Sequence, residues 1–156
     1  MSTPLSPTAP LIAVKSWLRA RVDKGETCPV CGQYAKVYKR KINSGMARSL
    51  IRMYLAGGSE KLEYIHIPTA IGSRSREEGK LRYWGLVEEE LERRPDGGRA
   101  GYWRVTPVGE LFVKGLMTVY SHARIYNGRC LGVAGSQVTI MDALGDKFDY
   151  NELMGL

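Results

Sequence analysis

An α+β fold is predicted by three features of this 156-residue chain. Apolar side chains recur at helical spacing in residues 11–22 and again in 44–55. Two turn sequences, Pro95-Asp96-Gly97-Gly98 and Asn127-Gly128, each separate extended segments in the manner of a hairpin. Thr106-Pro107 joins a helix cap to the residue best suited to a first helical turn.

Taken in order, residues 1–9 are rich in Ser, Thr and Pro and predict a loose arm. A helix over residues 10–22 follows, with Pro10 in its first turn and Leu11, Val14, Leu18 and Val22, flanked by Trp17, as its apolar face. A cysteine turn, CPVCGQ, comes next, and then a basic extended piece over 36–42. Ser44 is a candidate cap for a helix that Gly57-Gly58 would stop, burying Met46, Leu50, Ile51, Tyr54 and Leu55. Ile65-His66-Ile67-Pro68 reads as an extended entry into a turn of helix near 69–71. Ser75 and Glu78 have capping-box spacing, and the helix they open would end near Trp84 with Gly85 as its stop. Segments 86–94 and 100–105 make a hairpin around the Pro-Asp-Gly-Gly turn. The helix after Thr106 carries Leu111, Phe112 and Leu116 as its stripe. Segments 123–126 and 129–133 form a second hairpin, and Thr139/Asp142 and Asp149/Glu152 open two short helices.

Composition places the chain among globular proteins, at 44% hydrophobic and 25% charged. The net charge of +7 is uneven: residues 1–82 carry +9, residues 83–141 carry +1 and residues 142–156 carry −3. A basic front half implies a polyanion partner, while the plainer reading is an ordinary solvated surface. No run has the length of a membrane span, and the N-terminal segment has neither the basic start nor the apolar core of a signal peptide. With three cysteines, two of them in one tight pair, a reducing compartment is expected, namely the cytoplasm.

Helix, turn, helix, strand, glycine-tipped hairpin and returning helix is the order of a winged helix-turn-helix. Residues 44–118 resemble that family in wording as well: GKLRYWGLVEEE, a loop with Arg and Gly, then YWRVTPVGELFVKG. The resemblance implies a recognition helix ending in GLV, a wing in the hairpin, and a helix opened by the TPxG sequence. The cysteine turn interrupts the first helices and departs from the pattern. The expected organisation is therefore an arm over 1–9, a winged helix domain over 10–118 with an inserted CxxC turn, and a hairpin-plus-helices extension over 119–156. The whole chain, with CPVCGQ, KRKINSGMA and ALGDKFDYNELMG, resembles small proteins of bacteriophage and prophage genomes, which implies a host-cell cytoplasm as its setting.

With Leu81 and Trp84 turned inward at 100° per residue, Arg76, Gly79 and Tyr83 lie on the outer face of the recognition helix, and Ser75, Lys80 and Arg82 flank it. Arginine grips a guanine edge with two donors, whereas lysine and serine mostly hold phosphate. Gly79 would let the backbone approach a groove. Glu77 and Glu78 suit the helix dipole but repel phosphate where exposed. Wings of this family track phosphate or enter a minor groove, a role for Arg93, Arg94 and Arg99. The acidic run Glu88, Glu89, Glu90 and Glu92 argues against the whole hairpin lying on DNA. Lys36, Lys39, Arg40, Lys41, Arg48 and Arg52 add a third basic group for phosphate contact.

Cys28-Pro29-Val30-Cys31-Gly32 has the form of a zinc knuckle, whose two-residue gap brings two thiolates to one ion. A structural zinc site needs two further ligands. His122 and Cys130 are candidates, and two chains sharing one ion through paired knuckles is another arrangement. A redox pair would need a βαβ setting that the neighbours lack. A turn that binds no metal is the remaining alternative, and His66, between isoleucines, reads as a packed side chain.

Enzyme signatures are missing: the chain has no Walker A, GxGxxG, HExxH or GxSxG sequence. The leading expectation is a non-enzymatic regulator of transcription that binds duplex DNA as a homodimer. The alternative is an adaptor that docks a host protein through its acidic tail. Segment 119–156, with net charge −1 and many apolar residues, is expected either to associate with a second chain or to complete the core.

Overall fold

A computed structural model describes residues 5–57, 63–67, 77–90 and 101–156. It is of mixed α+β type, with two three-stranded antiparallel sheets, a small separate hairpin and short helices around one long one.

Helix α1 (Leu11–Arg19) begins one residue later than expected, because Pro10 has extended backbone angles and serves as its N-cap. A two-stranded hairpin, β1 (Glu26–Thr27) with β2 (Tyr34–Ala35), carries the cysteine turn. Strand β3 (Tyr38–Lys41) leads into α2 (Ser44–Gly57). Asn43, not Ser44, caps α2: its side-chain oxygen accepts the Met46 amide at 2.9 Å, the reach of a cap to the third helical residue. The buried face of α2 is Met46, Ala47, Leu50, Ile51, Met53 and Tyr54, while Leu55 is exposed. Nine residues at 100° each put Leu55 about 180° from Met46, so a face centred on Met46 and Leu50 excludes it.

Strand β4 (Ile65–His66), β5 (Val87–Glu89) and β6 (Tyr102–Val105) form a sheet ordered β4-β6-β5. Glu88 stands opposite Arg104 in the β5–β6 register and is ion-paired with it, which neutralises one carboxylate of the acidic run. The turn at 95–98 and the helix expected near 69–71 lie outside the described residues.

The expected capping of the next helix at Thr106 is observed. The Thr106 hydroxyl accepts the Gly109 amide at 3.0 Å, and Pro107 opens α3 (Pro107–Val113). The same hydroxyl lies 2.6 Å from the Gly85 carbonyl as its donor, tying α3 to the segment before β5. Thr106→Ala should therefore lower stability by about 1–2 kcal/mol, read from chemical unfolding with an unchanged denaturant slope. Glycine is required at position 109, where a Cβ would stand 2.1 Å from the Leu86 carbonyl oxygen. Gly109, Phe112 and Val113 face inward from α3. Leu111 and Leu116, expected in the buried stripe, are exposed. The helix ends at Val113, so Leu116 lies beyond it.

Strands β7 (Val119–Tyr126) and β8 (Arg129–Val138) are longer than the expected hairpin, and Asn127 and Gly128 make its turn with φ of 50° and 75°. Strand β3 pairs with β7, giving a sheet ordered β3-β7-β8. The basic segment near residue 40 is thus one edge of the C-terminal sheet. Helix α4 (Ile140–Leu144) shows a complete capping box between Thr139 and Asp142, and Asp149 caps α5 (Tyr150–Met154).

Helix α2 packs against β4, β6, α3, α4 and α5. Ile140 and Leu144 join Met46, Leu50, Leu86 and Phe112 in one core, so segment 119–156 completes that core. Tyr150 fastens α5 to α3 by donating its hydroxyl to the Val113 carbonyl at 2.7 Å, and burial pushes its phenol above the ordinary value.

Candidate functional site

Residues 77–84 (Glu77–Trp84) form a 3-10 helix and not the α-helix that the sequence predicts. The difference re-sorts the side chains. With three residues per turn, positions 78, 81 and 84 fall in one row, 79 and 82 in a second, and 80 and 83 in a third. The first row is buried: Glu78, Leu81 and Trp84 are 2%, 0% and 8% exposed. Leu81 and Trp84 point inward as expected, and the Trp84 indole donates to the Tyr120 carbonyl at 2.7 Å. Glu78, half of the expected Ser75/Glu78 capping box, lies inside the fold and accepts a 3.4 Å bond from the Ser49 hydroxyl on α2, while Ser75 lies outside the described residues. A carboxylate that would repel phosphate where exposed is here withdrawn from the surface.

Gly79 does not open the helix to a groove. A Cβ there would lie 3.3 Å from the Trp103 ring, so the missing side chain makes room for β6. Gly79 and Tyr83 consequently do not share an outer face. Arg82 is exposed and extends its guanidinium over the Tyr83 ring, 5.0 Å from the centroid.

The third row has the most consequence. Lys80 and Tyr83, both half-buried, join Tyr38, Lys39 and Arg40 of β3 and Ile125 of β7 around a groove of about 410 Å³. Two separate parts of the predicted basic surface, the extended piece near 40 and the helix near 80, meet there. Tyr38 is 59% exposed, with the Lys36 ammonium 5.3 Å from its ring centroid. Lys41 is exposed but lines a different pocket with Ser121, His122 and Asp142. Arg124, beside Lys39 in the β3–β7 register, is ion-paired with Asp23 at 2.7 Å. Ser75, Arg76, Arg93, Arg94 and Arg99 lie outside the described residues.

Tyr38 and Ile125 were not among the predicted site residues. The Tyr-Lys-Arg-Lys order was a usable signal for Tyr38, since aromatic rings interleaved with cations suit nucleic-acid surfaces. Ile125 reaches the groove only through long-range pairing of β7 with β3, which no local pattern announces.

The cysteine turn is tightly made. The Cys28 amide donates to the Gln33 carbonyl at 2.7 Å, the Gly32 amide to the Cys28 carbonyl at 2.9 Å, and Gly32 adopts a φ of 76°. Hydrogen bonds from the backbone amides of Cys31 and Val30 hold the Cys28 thiol below its ordinary value. His122 and Cys130 do not join this pair. The His122 Nδ1 is 2.6 Å from the Ser121 hydroxyl, and the Cys130 sulfur contacts the carbonyls of Tyr83 and Gly132. Among the described residues no three Cys, His, Asp or Glu side chains are grouped to hold a metal. His66 packs beside Tyr102 at 4.9 Å between ring centroids.

No described helix is long and apolar enough to cross a membrane. No protein family, curated protein or solved structure matches the chain.

Proposed function

We propose that this chain binds duplex DNA as a winged-helix regulator of transcription, using the groove between β3 and the 3-10 helix. The observation that carries the reading is the convergence of Lys39, Arg40 and Lys80 on one groove from elements about 40 residues apart in sequence. Cations gathered on one groove offer sites for phosphate, and Tyr38 and Tyr83 line the same groove beside them. The β4-β6-β5 sheet, with a helical segment before β5 and α3 after β6, supports a wing at the β5–β6 connection. The charge of +9 over residues 1–82 supplies the long-range attraction. In this reading Lys39, Arg40 and Lys80 hold the backbone, and Arg82, exposed on the neighbouring row, is the nearest described side chain able to reach a base edge.

Anisotropy of a labelled duplex over a salt series tests the reading on the full chain. A slope of log K against log salt of about −3 or steeper is expected, since each neutralised phosphate contributes roughly −0.9. A slope near zero would overturn it and leave the protein-docking adaptor as the better account.

A further inference from the structure

The turn from Cys28 to Gln33 presents a pair of free cysteines, Cys28 and Cys31, with two residues between them. Its loop is closed by the two backbone hydrogen bonds that fix Cys28 at its start. Cys31 follows Cys28 by three positions in this closed turn, the spacing that lets two thiolates reach one ion, and Gly32 with a φ of 76° turns the backbone directly after the pair. Soft thiolates so placed select zinc, and a structural zinc ion takes four ligands.

The other two do not come from the same described fold. His122 contacts Ser121, Cys130 contacts the carbonyls of Tyr83 and Gly132, and among the described residues no third donor groups with the pair. Access is open from outside: Pro29, Val30, Cys31 and Gly32 are all exposed, Val30 at 65%. We propose that two copies of this chain share one zinc ion, with Cys28 and Cys31 of each copy forming a four-cysteine site that closes a two-fold dimer. A second copy fits this site by its chemistry, because it presents the same two thiolates on the same protruding turn. The contact is isologous and stops at two chains. Electrostatics favour it as well. Four thiolates on one divalent ion leave a centre of charge −2 between two strongly basic segments, reducing their mutual repulsion. The two-thiolate site is incomplete without the partner, so metal binding and association are one event.

The test titrates the metal-free, reduced full chain with zinc while its mass is followed by analytical ultracentrifugation. Binding should saturate at about half an equivalent per chain, and the mass should double and return on chelation. Cobalt in place of zinc should give thiolate charge-transfer and tetrahedral bands that saturate at the same point, a readout that needs no variant. Cys31→Ser should lose both the metal and the dimer, and Cys130→Ser should keep both. Saturation at one equivalent with unchanged mass, absence of metal binding, or a dimer indifferent to chelator would each overturn the proposal.

Discussion

Replacing Lys39, Arg40 and Lys80 together by alanine should flatten the salt dependence of duplex binding by about three units and weaken binding at 0.1 M salt on the order of a hundredfold. Each of the three is expected to neutralise one phosphate, so each removes roughly 0.9 from the slope. At about 1 kcal/mol per charged contact in this exposed setting, three contacts amount to two factors of ten. The loss should be nearly equal for every sequence, because phosphate contacts carry no base information. Lys41→Ala is the internal control. It removes one charge from the strand that carries Lys39 and Arg40, but Lys41 lines the pocket beside His122 and not the groove. A loss in that variant as large as a third of the triple variant's, on the logarithmic scale, would mean that net charge matters and the groove does not. Anisotropy over a salt series, on proteins with matching thermal unfolding, separates these outcomes.

The largest stability effect is expected at Phe112, which has no exposed surface and stands between α3 and the core built on α2. Phe112→Ala should cost about 3–5 kcal/mol, the sum of lost transfer energy and the cavity left behind. For a chain of this size each kcal/mol corresponds to roughly 2–4 °C, so the melting temperature should fall by about 6–20 °C. Collapse of the neighbours into the space is restricted. Gly109 already sits against the Leu86 carbonyl, so α3 has no closer approach on that side. A cost under 1 kcal/mol would show that α3 is loosely held. Leu111→Ala on the same helix is expected to cost about 1 kcal/mol or less, because Leu111 is 42% exposed.

The features legible in the sequence are those decided by a few neighbouring residues. Thr106, Thr139 and Asp149 cap their helices because a side-chain oxygen reaches an amide two or three positions on. Asn127-Gly128 turns the β7–β8 hairpin because both residues accept positive φ. The cysteine turn follows from its own six residues. What could not be read depended on distant partners or on the helix period. The partner of β3 is β7, more than 80 residues away, so the predicted basic strand was visible and its place was not. At residues 77–84 the period is three, and this one change moves Glu78 inside, sets Gly79 under Trp103 and turns Lys80 with Tyr83 toward the groove. An α-helical projection placed Gly79 and Tyr83 together and so assembled a different face. The candidate site was legible as a list of basic residues, but their grouping needed the sheet.

The antiparallel pairing of residues 38–41 with 122–125 has a consequence for the order of events during synthesis. When α2 leaves the ribosome, the strand before it has no neighbour, and the surface that α4 and α5 will cover is bare. Nothing made in the next sixty residues supplies either. Contacts of such long sequence separation carry a large loop-closure cost and form late. The nascent chain must therefore hold Met46, Leu50 and Ile51 only partly sheltered until residue 144 has emerged, and the groove between β3 and the 3-10 helix is completed at the same late stage. If the groove grips a polyanion as proposed, the chain is in this way kept from doing so by its own growing end.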